Sequence, residues 1–503
     1  MKMTKKAILL SFLGCFLSLS LEVIWIRLLG FQTFSLPQAF SFTLALFLLG
    51  IAFGSFIGKK VCQQGDASIN YIGRIFFIAA LFDCLAIGLI STTSNSFTNL
   101  VYSIFSIFCC ALLRGIVFPI VHHLGSEHKK TGAAISNVYF ANVLGCTIAP
   151  IFIGFYLLDQ FTTQQTYLIV ISITLIIACF CLTKRVFKAI SALFAISVVF
   201  ATALLPEKMI STLANEEDMQ LETLIENKHG IIQVYLDKNQ DHLVYGSNVY
   251  DGQLNVNLNH NSNGIHHAYL LPVIAPKVKN ILVVGLSTGS WVKVLTSMPN
   301  LESITVVELN PTYVQLASSY PAMADLLKDN RVNIITDDGR RWLNKNPDQK
   351  FDLILMNTTF HWRNYATNLL SQQFLTVTKQ HLTDNGFIYF NTTDALDAYK
   401  TSQAVFPHVY AYENMSLASL KPIAVPTTPE VHRALANLKW HDGRHIFNSP
   451  AEIAEGTARI VNTPLIPYKD IDFSPLKRPA KIITDTNMIT EYKYGRLNTV
   501  INK

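Results

Sequence analysis

Seven stretches of mostly apolar residues fill the first 205 positions of this 503-residue chain, at roughly 7–28, 39–58, 72–92, 99–121, 134–157, 165–183 and 187–205. About 20 such residues in a helix match the hydrocarbon thickness of a bilayer. Backbone in lipid must satisfy its own hydrogen bonds, so runs of this kind predict seven transmembrane helices. The first run follows Lys2, Lys5 and Lys6, as a signal peptide would. It is too long for one, carries Glu22, Trp25 and Arg27, and lacks a small-residue cleavage site, so it reads as a retained helix.

The chain's formal charge of +6 could suggest nucleic acid, but its distribution excludes that reading. Residues 1–205 hold 13 basic and 5 acidic residues, and the remainder holds 27 and 29. The basic excess therefore belongs to the apolar half, where membrane topology explains it. Lys2, Lys5, Lys6, Lys59, Lys60, Arg74, Lys129, Lys130, Lys184, Arg185 and Lys188 all fall on one side of the spans. The alternate loops, near 29–38, 93–98 and 158–164, have no Lys or Arg, and only Arg27 lies near that face. The positive-inside rule puts the N-terminus in the cytoplasm of a multi-pass plasma (inner) membrane protein, and an odd number of spans puts the C-terminal half outside. All eight cysteines precede Leu205, which suits an external domain without thiols to oxidise.

Within the spans, Gly50, Gly54 and Gly58 form a stripe that lets a second helix approach closely. Glu22, Asp83 and Arg114 lie at or near membrane depth and read as helix glue with one internal ion pair. His122, His123, Glu127 and His128 resemble a metal cluster, yet adjacent histidines diverge around a helix, so they read as a solvated helix end. No metal is expected.

Beyond Pro206 the pattern changes. Residues 206–228 read as a polar connector with a helix; 231–236, 242–246 and 249–255 read as a small antiparallel sheet, followed by a helix near 263–275. A βα alternation then places strands at 280–285, 303–308, 332–336, 352–356 and 386–391, which predicts a doubly wound, mostly parallel sheet. After about 395, a proline-bearing tail reads as extra strands and loops packed on that sheet.

Three strand ends converge on one crevice. The first runs into Gly285-Leu286-Ser287-Thr288-Gly289-Ser290, a turn whose backbone a ligand can approach. The second ends at Glu308, placed to bind ribose hydroxyls. The third ends in Asp337-Asp338-Gly339, whose acids serve equally well as helix caps. The fourth opens into Asn357-Thr358-Thr359-Phe360-His361-Trp362-Arg363, a cluster of polar, aromatic and cationic groups where loops carry function.

The order of motifs YDGQ (Tyr250–Gln253), VVGLSTGS, VELNP, DDGRRWL, FDLILMNTT and NLLSQQFL resembles the spermidine synthase family of aminopropyltransferases over roughly residues 230–395. The LEVIWIRLLG opening (Leu21–Gly30) is similar to multi-span proteins carrying such a domain. The resemblance implies a class I methyltransferase (Rossmann-like) fold and possible homodimerisation. It implies decarboxylated S-adenosylmethionine or S-adenosylmethionine as the cofactor, a small nucleoside-type ligand held by Gly285, Thr288, Gly289, Glu308, Asp338 and Gly339. The organisation expected is a membrane domain over 1–205, a connector over 206–230 and a small sheet and helix over 231–275. A nucleoside-binding core over 276–395 and a C-terminal extension over 396–503 follow.

The chain also departs from the family. Thr288 stands near the Asp that anchors the aminopropyl amine, and Asn357 replaces the Asp that helps deprotonate the attacking amine. Asn cannot accept a proton, and Phe360 removes a further acid, so ordinary polyamine transfer loses its electrostatics. His361 and Asn357 are the remaining catalytic candidates, with Thr358, Thr359, Trp362 and Arg363 as substrate-binding candidates. Three readings stay open: an aminopropyl or methyl transferase with a different acceptor, a non-catalytic ligand-binding membrane protein, or a transporter-associated domain. Both adenosyl donors are cytoplasmic metabolites, so an external domain favours the second reading and a cytoplasmic one the first.

Overall fold

The computed structural model describes residues 2–126, 132–214, 218–357 and 359–496, and the chain divides into two compact units, Met1–Gln233 and Val234–Lys503. Among the described residues, the first unit contains seven helices long and apolar enough to cross a membrane. They are α1 (Lys2–Gln32), α2 (Gln38–Gln63), α3 (Ile69–Ile90), α4 (Ser96–Ser126), α5 (Gly132–Phe152, continued by a π turn), α6 (Thr163–Cys181) and α7 (Arg185–Leu204).

Small residues set the helix spacing. A Cβ on Gly50 would come within 2.5 Å of the Phe108 carbonyl oxygen, and Gly54 and Gly58 lie equally close to Leu112 and Ile116. Gly115 answers from the α4 side, 2.6 Å from the Ile51 carbonyl oxygen, so α2 and α4 meet backbone to backbone. Between α1 and α5, Ser11 Oγ donates to the Val138 carbonyl at 2.9 Å, and Cys15 is bonded to Cys146.

The internal ion pair expected from sequence is present. Arg114 meets Asp83 at 2.6 Å, both fully buried, and Cys110 Sγ also donates to Asp83 at 3.0 Å. Glu22 instead faces a cavity of about 380 Å³ among α1, α2, α4 and α5. At the other end of α1, Arg27 donates to Thr163 Oγ1 (2.9 Å), the Asn227 carbonyl (2.7 Å) and the Gly230 carbonyl (3.1 Å), and pairs with Glu226. His122 packs on Phe118, 4.4 Å between ring centroids; Glu127 and His128 lie outside the described residues.

The expected connector holds a helix, α8 (Met209–Leu213), and also a strand, β1 (Gln220–Asn227), that its polar composition hides. Glu226 near the end of β1 explains the strand's position, since its carboxylate accepts from the Thr163 backbone at 3.0 Å. Strand β2 (Gly230–Leu236) runs across the division between the units.

In the second unit, β3 (His242–Gly246) and β4 (Val249–Gln253) form an antiparallel hairpin, with the latter two residues shorter than expected, and α9 (His266–Ile274) follows. Five parallel strands come next: β5 (Asn280–Val284), β6 (Ser303–Glu308), β7 (Val332–Thr336), β8 (Phe351–Met356) and β9 (Leu382–Asn391). An antiparallel hairpin, β10 (His408–Tyr412) and β11 (Met415–Ser419), and the short β12 (Ile466–Pro467) complete an eight-stranded sheet ordered β12-β10-β11-β9-β8-β5-β6-β7. Apolar clusters cover both faces, one around Ile281, Val283, Leu353 and Leu355 and the other around Leu282, Ile354, Met356 and Ile388, as the alternation along buried strands requires. Strand order reverses between β5 and β8, which opens a crevice at their carboxyl ends.

Candidate functional site

The turn after β5 is shaped by backbone. Gly285 (φ +89°), Ser287 (φ +50°) and Gly289 (φ +80°) all adopt the left-handed region. A Cβ on Gly285 would meet nothing closer than the Asn357 carbonyl oxygen at 4.0 Å, so the space over the turn is open. Thr288 is buried and its hydroxyl pairs with Ser290 Oγ at 2.9 Å, while Ser290 Oγ donates to the Gln253 carbonyl at 2.6 Å. Gly252 of the YDGQ segment lies against this turn, where a Cβ would stand 2.9 Å from Thr288 Cγ2.

Glu308, at the tip of β6, is buried and turned into the turn. Oε2 accepts from the Leu286 backbone N–H and Oε1 from that of Asn310, each at 2.7 Å. Burial pushes its carboxyl up to about 7, against the pull of those N–H groups. Asp338 caps the short helix Gly339–Lys345 by accepting from the Arg341 N–H at 2.7 Å. Gly339 is required by packing, since a Cβ there would come within 2.5 Å of Val284 Cγ1.

The segment after β8 separates into two roles. Asn357, Thr359 and Phe360 line a cavity of about 630 Å³. His361, Trp362 and Arg363 are not among its lining residues; they fix the loop from behind. His361 Nδ1 lies 2.8 Å from the Thr393 carbonyl and so carries the proton, and burial lowers its pKa below the ordinary imidazole value. Trp362 stacks on Phe360 at 5.4 Å with Arg496 over its ring. Arg363 donates to Thr359 Oγ1 at 2.6 Å and to the Gly246 carbonyl at 3.1 Å. Thr358 lies outside the described residues.

The rest of the cavity wall comes from residues that sequence reading did not single out as a site. Asp251 belongs to the YDGQ segment and Asp394 follows the tip of β9, where the strand-tip logic applied to Glu308 would have found it. Glu413 and Asn414 join β10 to β11, and His266 and His267 open α9. Three carboxylates thus line the cavity together with the guanidinium of Arg459, which lies 4.0 Å from Glu413. Burial raises the Asp251 carboxyl above the usual range and lowers His266 to about 4, which keeps that imidazole neutral at pH 7. Asn263 Nδ2 and Asn414 Oδ1, on lining residues, are buried without hydrogen-bond partners, one a donor and one an acceptor. Thr393 (φ +50°), Asp394 (φ +69°) and Glu413 (φ +50°) add backbone strain to the same wall, a pattern that clusters at functional sites.

Strand order and crevice define a class I methyltransferase-type α/β domain. Residues 264–437 match the family model of the spermine/spermidine synthase domain, so the C-terminal region is spermidine-synthase-like. A polyamine aminopropyltransferase of Thermococcus onnurineus is 27% identical over 157 residues, 29% of this chain and 55% of that protein. One of Clostridium botulinum is 34% identical over 85 residues, 17% of this chain and 30% of that protein. The chain therefore spans between about a third and just over half of these curated relatives' length. Among solved structures, the spermidine synthase from Thermotoga maritima is 17% identical with a TM-score of 0.36, covering 48% of this chain and 87% of that one. The human methyltransferase-like protein 13 in complex with SAH is 21% identical with a TM-score of 0.28, covering 40% and 90%.

Proposed function

We propose that this chain is a membrane-anchored group transferase that takes an adenosyl-sulfonium donor and an amine-bearing acceptor other than a common polyamine. The observation that supports it most is the acidic cavity at the switch point of the sheet, with Asp251, Asp394 and Glu413 on its wall. The carboxylates absent from positions 357 and 360 are replaced in effect by acids from other segments, which attract a cation in a site of reduced dielectric.

The residues fit a nucleoside donor. The turn at Gly285 leaves open space, Glu308 stands at the tip of β6 beside that turn, and Asp338 sits at the neighbouring tip. Such a donor would supply an electrophilic carbon next to sulfur. The chain's own residues would orient the acceptor: Asp251 and Asp394 by charge, and Asn357, Asn391 and Asn414 by hydrogen bonds. A carboxylate from this wall would take the proton that Asn357 cannot.

Calorimetry with two adenosyl thioethers tests the reading. Methylthioadenosine is the expected ligand of an aminopropyl transferase, and S-adenosylhomocysteine that of a methyltransferase. One should bind, Glu308→Ala should abolish it, and Asp251→Asn should leave it intact. Failure of both nucleosides to bind would sink the proposal. The charge pattern of the spans supports a second reading, a ligand-binding protein without turnover, because the positive-inside rule predicts a domain on the side away from cytoplasmic donors. A C-terminal reporter active only outside the cytoplasm separates the two.

A further inference from the structure

Two imidazoles and a carboxylate converge on one point of the cavity wall. His266 Nε2 lies 3.0 Å and His267 Nε2 3.1 Å from the same oxygen, Glu413 Oε2. All three ligand-type atoms lie within 4.8 Å of one another. The two rings stand 4.2 Å apart, so consecutive residues of α9 aim together where helical geometry alone would send them about 100° apart.

The carboxylate is held from behind. Oε1 has Thr463 Oγ1 at 3.4 Å and the Arg459 guanidinium at 4.0 Å, and the Glu413 carbonyl accepts from Tyr399 Oη at 2.8 Å. Glu413 also occupies a left-handed position, φ +50°, in the turn between β10 and β11. Gly or Asn would adopt that conformation with less strain. A plain histidine–carboxylate hydrogen bond needs one imidazole and no strained turn; here a second buried imidazole shares the same oxygen beside open space.

We propose that His266, His267 and Glu413 bind a divalent first-row transition metal through two imidazole nitrogens and one carboxylate oxygen, with the remaining position open to the cavity. Ligand bonds of about 2.0–2.2 Å in tetrahedral geometry separate ligand atoms by roughly 3.4 Å, so the two nitrogen–oxygen distances need to widen by only a few tenths of an ångström, and the two nitrogens already lie within 4.8 Å of each other. Each neutral imidazole gives its Nε2 lone pair to the ion while its ring proton moves to Nδ1, and the carboxylate is already ionised, so no proton need leave. The N₂O donor set suits zinc, cobalt or nickel and disfavours magnesium and calcium, which prefer oxygen cages. The site stands independently of the donor proposed above, since nucleoside binding is measured without added metal.

The test uses the full chain in detergent, stripped with EDTA and titrated with Co²⁺. One equivalent should give the intense visible absorption of low-coordinate cobalt, Zn²⁺ should remove it, and Mg²⁺ should not. Glu413→Gln keeps side-chain size and should lose the signal, as should His267→Ala. Thr463→Ala, which only orients the carboxylate, should weaken binding about 10-fold. Zn²⁺ should also raise the Tm of the unsubstituted chain, a readout that needs no variant. Cobalt that stays in its pale hexaaquo form, or a signal that survives Glu413→Gln, overturns the site.

Discussion

Glu308 offers a sharp test because its burial and its hydrogen bonds oppose each other. Burial raises the folded carboxyl from 4.5 to about 7. At 1.36 kcal/mol per pKa unit, that difference is about 3 kcal/mol. The sign follows from linkage: a raised carboxyl contributes fully below pH 4.5, and its contribution is lost as pH rises through 7. Glu308→Gln removes the titration while keeping shape, at a pH-independent cost, because the amide nitrogen only donates and leaves one of the Leu286 and Asn310 N–H groups without an acceptor. The stability difference between the two proteins should therefore shift by about 3 kcal/mol in the variant's favour between pH 4.5 and 8. The unsubstituted chain also carries His266, lowered to about 4, whose stabilisation grows as pH rises from 4 to 6.5, so only the difference between the two proteins isolates Glu308. Four of the five tryptophans lie in Val234–Lys503, so fluorescence-monitored guanidinium unfolding in detergent reports on the right unit. A difference that stays flat between pH 4.5 and 8 would refute the reasoning, because the N–H clasp would then outweigh desolvation.

The helix contacts of the first unit make two further predictions. Gly54→Ala forces a methyl into the Leu112 carbonyl and should destabilise the bundle by 1–3 kcal/mol or more in detergent unfolding, whereas Gly88→Ala, with nothing within 4 Å, should be neutral. Asp83→Asn strands the fully buried Arg114 guanidinium and should cost about 3–5 kcal/mol, while replacing both partners by apolar residues should recover most of that; equal losses for the single and double changes would argue against a charge effect.

The seven helices were legible because an apolar run of bilayer length is a local property. The βα rhythm was legible for the same reason: β6 and β7 fall on the expected residues, and β5, β8 and β9 lie within a few positions. Strand β1 was not, because its QLETLIEN sequence has no clean alternation and its place depends on Arg27, some 200 residues away. Glu308 was placed at its strand tip, but its backbone partners come from a turn whose geometry no spacing reveals. The cavity wall was the least legible part. Asp251, Asp394 and Glu413 come from three segments, brought together by strand order and by an antiparallel hairpin that follows the parallel strands.

The Arg27 contacts have a consequence for how the protein is made. The guanidinium at the end of α1 enters the membrane among the earliest parts of the chain, while the Asn227 and Gly230 carbonyls and the Glu226 carboxylate are translated some 200 residues later. Until then it has only Thr163, and before α6 emerges not even that. Until residues 226–230 are made, the guanidinium at the end of the first helix lacks the Asn227, Glu226 and Gly230 partners that it has in the folded chain. A chain terminated after Leu204 would keep all seven helices and still be an unfinished membrane protein, open to quality-control proteolysis at its first span.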